Sequence, residues 1–94
     1  MDRPSFEGLV ETLRRNLVES SRAEMVREAL RTQFITARQL GAIMDLFIGE
    51  NNRLDAARFS LPHVVDPGSA LGFGAKFKSA SRQHEYTQLI SSQR

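Results

Sequence analysis

A chain of 94 residues with 40% hydrophobic content and six Phe suits one small domain with a modest core, and excludes a disordered tail. The net charge is only +2, from 13 basic and 11 acidic residues whose signs are interleaved, which disfavours the basic stripe of a nucleic-acid binder. No cysteine is present, so neither a disulfide framework nor thiolate chemistry is on offer. Leu, Ala, Arg, Glu and Gln outweigh Val and Ile, a balance that favours helix over strand.

The first predicted helix covers 6–18. Phe6, Leu9, Val10, Leu13 and Leu17 fall at i, i+3, i+4, i+7 and i+11, one apolar stripe, with Ser5 as its start signal. A second helix, 22–33, carries Met25, Val26, Ala29 and Leu30 behind an expected capping box of Ser21 and Glu24. The third, 37–48, follows a capping box of Thr36 and Gln39 and bears Leu40, Ile43, Met44 and Phe47. The fourth, 53–61, has Asn52 as its cap and Asp55 in its first turn, and Pro62 ends it. Asp66-Pro67 opens the fifth, 67–77, because proline at the first helical position loses no hydrogen bond. Gly68, Gly72 and Gly74 weaken that segment, so it is expected to be short, irregular or dependent on packing. The sixth, 82–92, carries Tyr86, Leu89 and Ile90.

Three turn-like segments punctuate these helices: Glu19-Ser20-Ser21-Arg22, Glu50-Asn51-Asn52-Arg53 and Ser79-Ala80-Ser81-Arg82. Their arginines lie 31 and then 29 residues apart. Leu13, Met44 and Phe73 stand nine residues before each Arg; Leu17, Ile48 and Phe77 stand five before; Val26, Ala57 and Tyr86 stand four after. Such periodicity is the signature of a repeat architecture, in which each hairpin buries its apolar face only against the next. The expected fold is all-α: six helices as three tandem helical hairpins in a compact right-handed α-solenoid-like array. It forms a single domain over 1–94 with units near 5–34, 35–64 and 65–94. Leu13, Met44 and Phe73 are expected in the core.

Phe6 to Arg22, Thr36-Ala37-Arg38-Gln39-Leu40, Leu46-Phe47-Ile48 through Asn52-Arg53-Leu54, and Leu61-Pro62 through Val65-Asp66-Pro67 occur in order. In this pattern the chain resembles domain-of-unknown-function family 4476. The resemblance spans nearly the whole chain and is weakest in the Gly-rich third unit. It implies a helical domain often found within longer proteins, with no assigned activity and no catalytic residues to carry over.

The repeated arginines Arg22, Arg53 and Arg82 are the candidate structural or interaction residues. A cation at the start of a helix faces the positive end of the macrodipole, so three occurrences call for a compensating contact. Either each guanidinium reaches carbonyls left unpaired at the end of the preceding helix, or a nearby carboxylate, or the arginines form a row presented to an anionic partner. The first reading is preferred. His63 and His84 are too few and too far apart for a metal site. Ser60, His63 and Asp66 compose a catalytic triad only on paper, since no nucleophile elbow accompanies them. The glycines of 68–74 with Lys76 match neither a phosphate-binding loop nor a dinucleotide fingerprint. Lys76, Lys78 and Arg82 form a small basic patch best read as solvated surface. A DNA-reading helix-turn-helix around Arg31, Arg38 and Gln39 is disfavoured by the interspersed acids.

The expected role is therefore a non-enzymatic protein-interaction or scaffold module. The alternative is nucleic-acid or anionic-surface binding through Arg-rich helix faces. A subdomain of an enzyme completed by other chains is a further possibility. No catalytic residue, cofactor or metal is expected. The expected partner is an unidentified protein. Nucleic acid is disfavoured, and no membrane insertion is expected. The start MDRPSFEGLV lacks the apolar stretch of a signal peptide, and an intracellular, cytoplasmic setting is expected.

Overall fold

The computed structural model describes residues 1–93. Arg94, where the third unit was expected to end, lies outside the described residues. The protein is all-helical. Its α-helices are α1 (Arg3–Arg15), α2 (Glu19–Leu30), α3 (Ala37–Met44), α4 (Glu50–Ser60) and α5 (Ala80–Ser91). A short 3₁₀ turn, Leu61–His63, follows α4, and a 3₁₀ segment, Pro67–Lys76, replaces the fifth predicted α-helix.

The starts of α1, α2, α4 and α5 lie two or three residues before the predicted ones, and those of α3 and the 3₁₀ segment coincide with them. α1 starts after Asp2, with Pro4 in its first turn, rather than after Ser5. It ends at Arg15 because Asn16 is extended, which removes Leu17 from the apolar stripe and leaves it 88% exposed. α2 and α4 begin at glutamates whose charge suits the positive helix end. Their N-caps are Val18 and Gly49, neither of which caps through a side chain, so Ser21 and Asn52 lie inside helices and not at their starts. The Thr36–Gln39 capping box is present with both reciprocal bonds. Ser79 caps α5 through the Arg82 N–H.

Three glycines explain why 67–76 winds as a 3₁₀ segment, since interior glycine costs a helix about 1 kcal/mol each. Such runs rarely exceed a few residues, and packing sustains this one. The Phe73 ring lies directly over Gly41 of α3, where any Cβ would meet it at 2.8 Å. The Tyr86 hydroxyl of α5 donates to the Ala70 carbonyl at 2.7 Å.

The helices form three consecutive pairs: α1 with α2, α3 with α4, and the 3₁₀ segment with α5. α2, α4 and α5 pack in sequence along one side, and α3 packs against the 3₁₀ segment on the other. Between pairs, the connecting strips also lie side by side. The Met1 ammonium donates to the Phe34 carbonyl, Ile35 N–H to His63 at 2.9 Å, and Val65 N–H to Ile35 at 2.9 Å. Ile35 and Val64 form an isolated parallel bridge. One core runs through the pairs, with Leu13, Val26, Leu40, Met44, Phe47, Leu61, Phe77 and Tyr86 among its buried members. Leu13 and Met44 are fully buried, and Phe73 is partly buried against this core. Of the apolar residues aligned five before each Arg, Phe77 is buried but Ile48, like Leu17, is largely exposed. The radius of gyration, 12.3 Å, is that of a compact chain of this length, about 12 Å.

Candidate functional site

The turns between paired helices carry the same backbone path three times. In each, an N–H closes on the carbonyl three residues back, Asn16 on Leu13, Phe47 on Met44 and Phe77 on Gly74, and Asn16 and Phe77 are extended. Two residues later an extended N-cap, Val18, Gly49 or Ser79, starts the second helix. The second helices begin 31 and then 30 residues apart.

In this frame Arg22 and Arg53 occupy the fourth helical position of α2 and α4. Arg22 Nε donates to the Asn16 carbonyl at 2.5 Å, and its Nη1 donates to the Leu46 carbonyl of the next turn. Arg53 repeats the arrangement. Its Nε and Nη2 donate to the Phe47 carbonyl at 3.1 and 2.7 Å, its Nε also reaches Met44 O at 3.2 Å, and its Nη1 donates to the Lys76 carbonyl at 2.5 Å. Each guanidinium thus closes its own turn and grips the carbonyl of the following one. The planar fork suits this double duty, which a lysine ammonium cannot reproduce.

A glutamate accompanies each arginine. Glu19 accepts from the Ile48 and Gly49 N–H groups and from the Asn52 amide at the next turn. Glu50 accepts from the Lys78 N–H one turn further on. Partial burial works against the Glu19 charge, but the bonds from Ile48, Asn52 and Gly49 outweigh it and hold the carboxyl below the usual glutamate range. Glu and Arg at positions one and four of a second helix therefore form a ladder from each turn to the next.

Arg82 does not belong to this ladder. It sits one residue early, at the third position of α5, and turns back to the Asn51 side chain and to Glu85 at 3.0 Å. Gln83 holds the equivalent place, and its Nε2 donates to the Phe77 carbonyl at 2.7 Å. Ala80 stands where Glu19 and Glu50 stand. The likeness of Ser21-Arg22 and Ser81-Arg82 concealed this one-residue slip. The signal that could have found it is the spacing of glutamate three residues before arginine, which is met twice and fails at Ser79.

The remaining candidate residues do not assemble into a reactive group. The buried Ser60 Oγ has no hydrogen-bond partner, and Asp66 Oδ1 accepts from the Ala37 N–H at 2.7 Å, so Ser60, His63 and Asp66 make no relay. The His63 ring lies 6.4 Å from that of Phe34. Lys76 pairs with Asp45 at 2.7 Å and sits over the Phe73 ring. Among the described residues no three His, Asp or Glu side chains converge as a metal site, and no helix is long and apolar enough to cross a membrane.

These features define an all-helical protein of stacked helix pairs whose turns are laced together by side chain to backbone bonds. Residues 1–90 match the family described as domain of unknown function (DUF4476), and the chain belongs to that family. No curated protein and no solved structure matches it.

Proposed function

We propose that the chain is a non-enzymatic protein-interaction or scaffold module, one domain of three helical units that presents its turns as a fixed edge. The observation that carries this reading is the exposure of large apolar side chains on that edge. Leu17 is 88% exposed, Val18 56% and Ile48 85%, all in turns that Glu19 and Arg22 tie together. Exposed apolar groups on a rigid frame cost little ordering entropy when a partner covers them. The arginines favour the same reading. Arg22 and Arg53 direct their guanidinium groups at main-chain carbonyls, and Arg3, Arg15, Arg31 and Arg58 each pair with a neighbouring carboxylate. Among the described residues the exposed cations without a carboxylate partner, Arg14, Arg27, Arg38 and Lys78, lie on four different elements and turns and not along one helix face.

The test is site-specific photo-crosslinking in the native cell. A crosslinker at Leu17 or Ile48 is expected to give discrete protein adducts, and one at the exposed Thr87 is expected to give none. The same diffuse background from all three sites contradicts the proposal. A titration against generic duplex DNA at low salt is expected to show no binding.

A further inference from the structure

We infer that the array is closed at its α5 end and open at its α1–α2 turn, and that the open turn docks a helical hairpin of another protein whose second helix starts Glu-x-x-Arg. The inference rests on the interaction-module reading and names the partner's chemistry.

The ladder itself shows what covers such a turn. At both internal junctions the incoming pair of side chains is the same: a glutamate on the N–H of the residue just before the N-cap of the second helix, and an arginine on the carbonyl two residues earlier. The N–H groups are those of Ile48 and Lys78, and the carbonyls are those of Leu46 and Lys76. The equivalent groups in the first turn are the Leu17 N–H and the Arg15 carbonyl. Among the described residues neither has a hydrogen-bond partner.

Burial along the second helices points the same way. Counting from Arg22, Arg53 and Gln83, the third and seventh residues on are Met25 and Ala29, Ala56 and Ser60, and Tyr86 and Ile90. The fourth and eighth are Val26 and Leu30, Ala57 and Leu61, and Thr87 and Ser91. In the middle unit all four are buried, three on α4 and Leu61 directly after it. α2 buries only Val26 and Leu30 and leaves Met25 and Ala29 half-buried. α5 buries only Tyr86 and Ile90 and exposes Thr87 and Ser91. The third and seventh positions therefore face the preceding pair, and the fourth and eighth face the following one. At the α5 end the outward positions are polar and the ladder residues are Ala80 and Gln83, as expected of a terminal cap. At the α2 end the outward positions are apolar. On the α1 side the end is polar, with exposed Thr12 where Ile43 is buried in the next pair, so the docking surface is confined to the turn and α2.

A second copy of this chain is not the occupant. Its Glu19, Arg22, Glu50 and Arg53 are engaged internally, and its free end offers only Ala80 and Gln83. The 94-residue chain is therefore expected to be monomeric.

The test converts the closed end into the missing partner. The variant Ala80→Glu/Gln83→Arg/Thr87→Val/Ser91→Leu gives α5 the ladder and the apolar face of α2. Sedimentation equilibrium is expected to give the wild type the mass of one chain, and the variant a mass that at least doubles as concentration rises. Adding Leu17→Pro removes the N–H of the open turn next to an already extended Asn16, and is expected to restore the single-chain mass without lowering the melting temperature. A folded quadruple variant that stays monomeric at every concentration overturns the inference, as does association that survives Leu17→Pro. Either failure leaves the crosslinking result at Ile48 intact, so it is separable from failure of the interaction-module reading.

Discussion

Replacing Arg53 with alanine removes the hydrogen bonds from one half-buried guanidinium to the carbonyls of Met44, Phe47 and Lys76. A bond to a charged donor contributes about 1.5–3 kcal/mol net, and water reaching the truncated site recovers part of that. The expected loss is thus about 2–4 kcal/mol, a large fraction of the roughly 5–10 kcal/mol that holds a domain of this size. At about 4–8 °C per kcal/mol the melting temperature should fall by about 8–32 °C. Arg58→Ala is the control. Its side chain is 52% exposed and pairs with Asp55 at 2.6 Å and Glu85 at 4.0 Å, a surface arrangement contributing less than about 1 kcal/mol. Arg53→Lys should recover only a minor part of the loss, because an ammonium lacks the fork that spans two turns. Thermal unfolding followed by far-UV circular dichroism measures all three. Equal shifts for Arg53→Ala and Arg58→Ala would refute the reasoning.

Glu19→Gln should destabilise the protein at neutral pH and matter less in acid. The folded carboxyl titrates below its unfolded value, so its stabilisation is complete above about pH 5 and is lost as pH falls through the folded pKa. Urea unfolding of wild type and variant at a series of pH values should show the two curves converging in acid, and a constant gap would contradict the assignment. Tyr86→Phe leaves the Ala70 carbonyl without its donor inside the core and should cost about 1–2 kcal/mol in urea unfolding, with 67–76 becoming the segment least protected from hydrogen exchange. Ser60→Ala removes a buried hydroxyl that has no partner, so it should leave the urea midpoint unchanged or raise it. Leu13→Ala should cost about 2–5 kcal/mol by the same assay, since Leu13 is fully buried.

Helical character and core membership were legible where they depend on near neighbours. The Thr36–Gln39 box, the stop at Pro62 and the weakness of the Gly-rich segment each follow from residues a few positions apart. The starts of α2 and α4 were misplaced because Ser21 and Asn52 look like caps, whereas the real N-caps, Val18 and Gly49, have no capping side chain. What secures the start of α4 is distant: the Glu19 carboxylate that holds the Gly49 N–H lies 30 residues away. The strip joining Ile35 to Val64 was invisible for the same reason. The repeated arginine was readable as a position calling for a partner, but its second acceptor, in the following turn, is a product of the stacking. Arg82 shows the cost of aligning by residue type alone, since the backbone places Gln83 in that role.

The anchoring of Arg22 and Arg53 on the carbonyls of their own turns, from which each reaches the next turn, is tested most directly by exchange of the arginine Nε–H protons in a ¹⁵N-resolved NMR spectrum of the folded chain. Nε of Arg22 and of Arg53 donates to main-chain carbonyls, whereas Arg58 and Arg82 bond only through their Nη atoms. Slow exchange is predicted for Arg22 and Arg53, and fast exchange for Arg58 and Arg82. Equally fast exchange at all four contradicts the account.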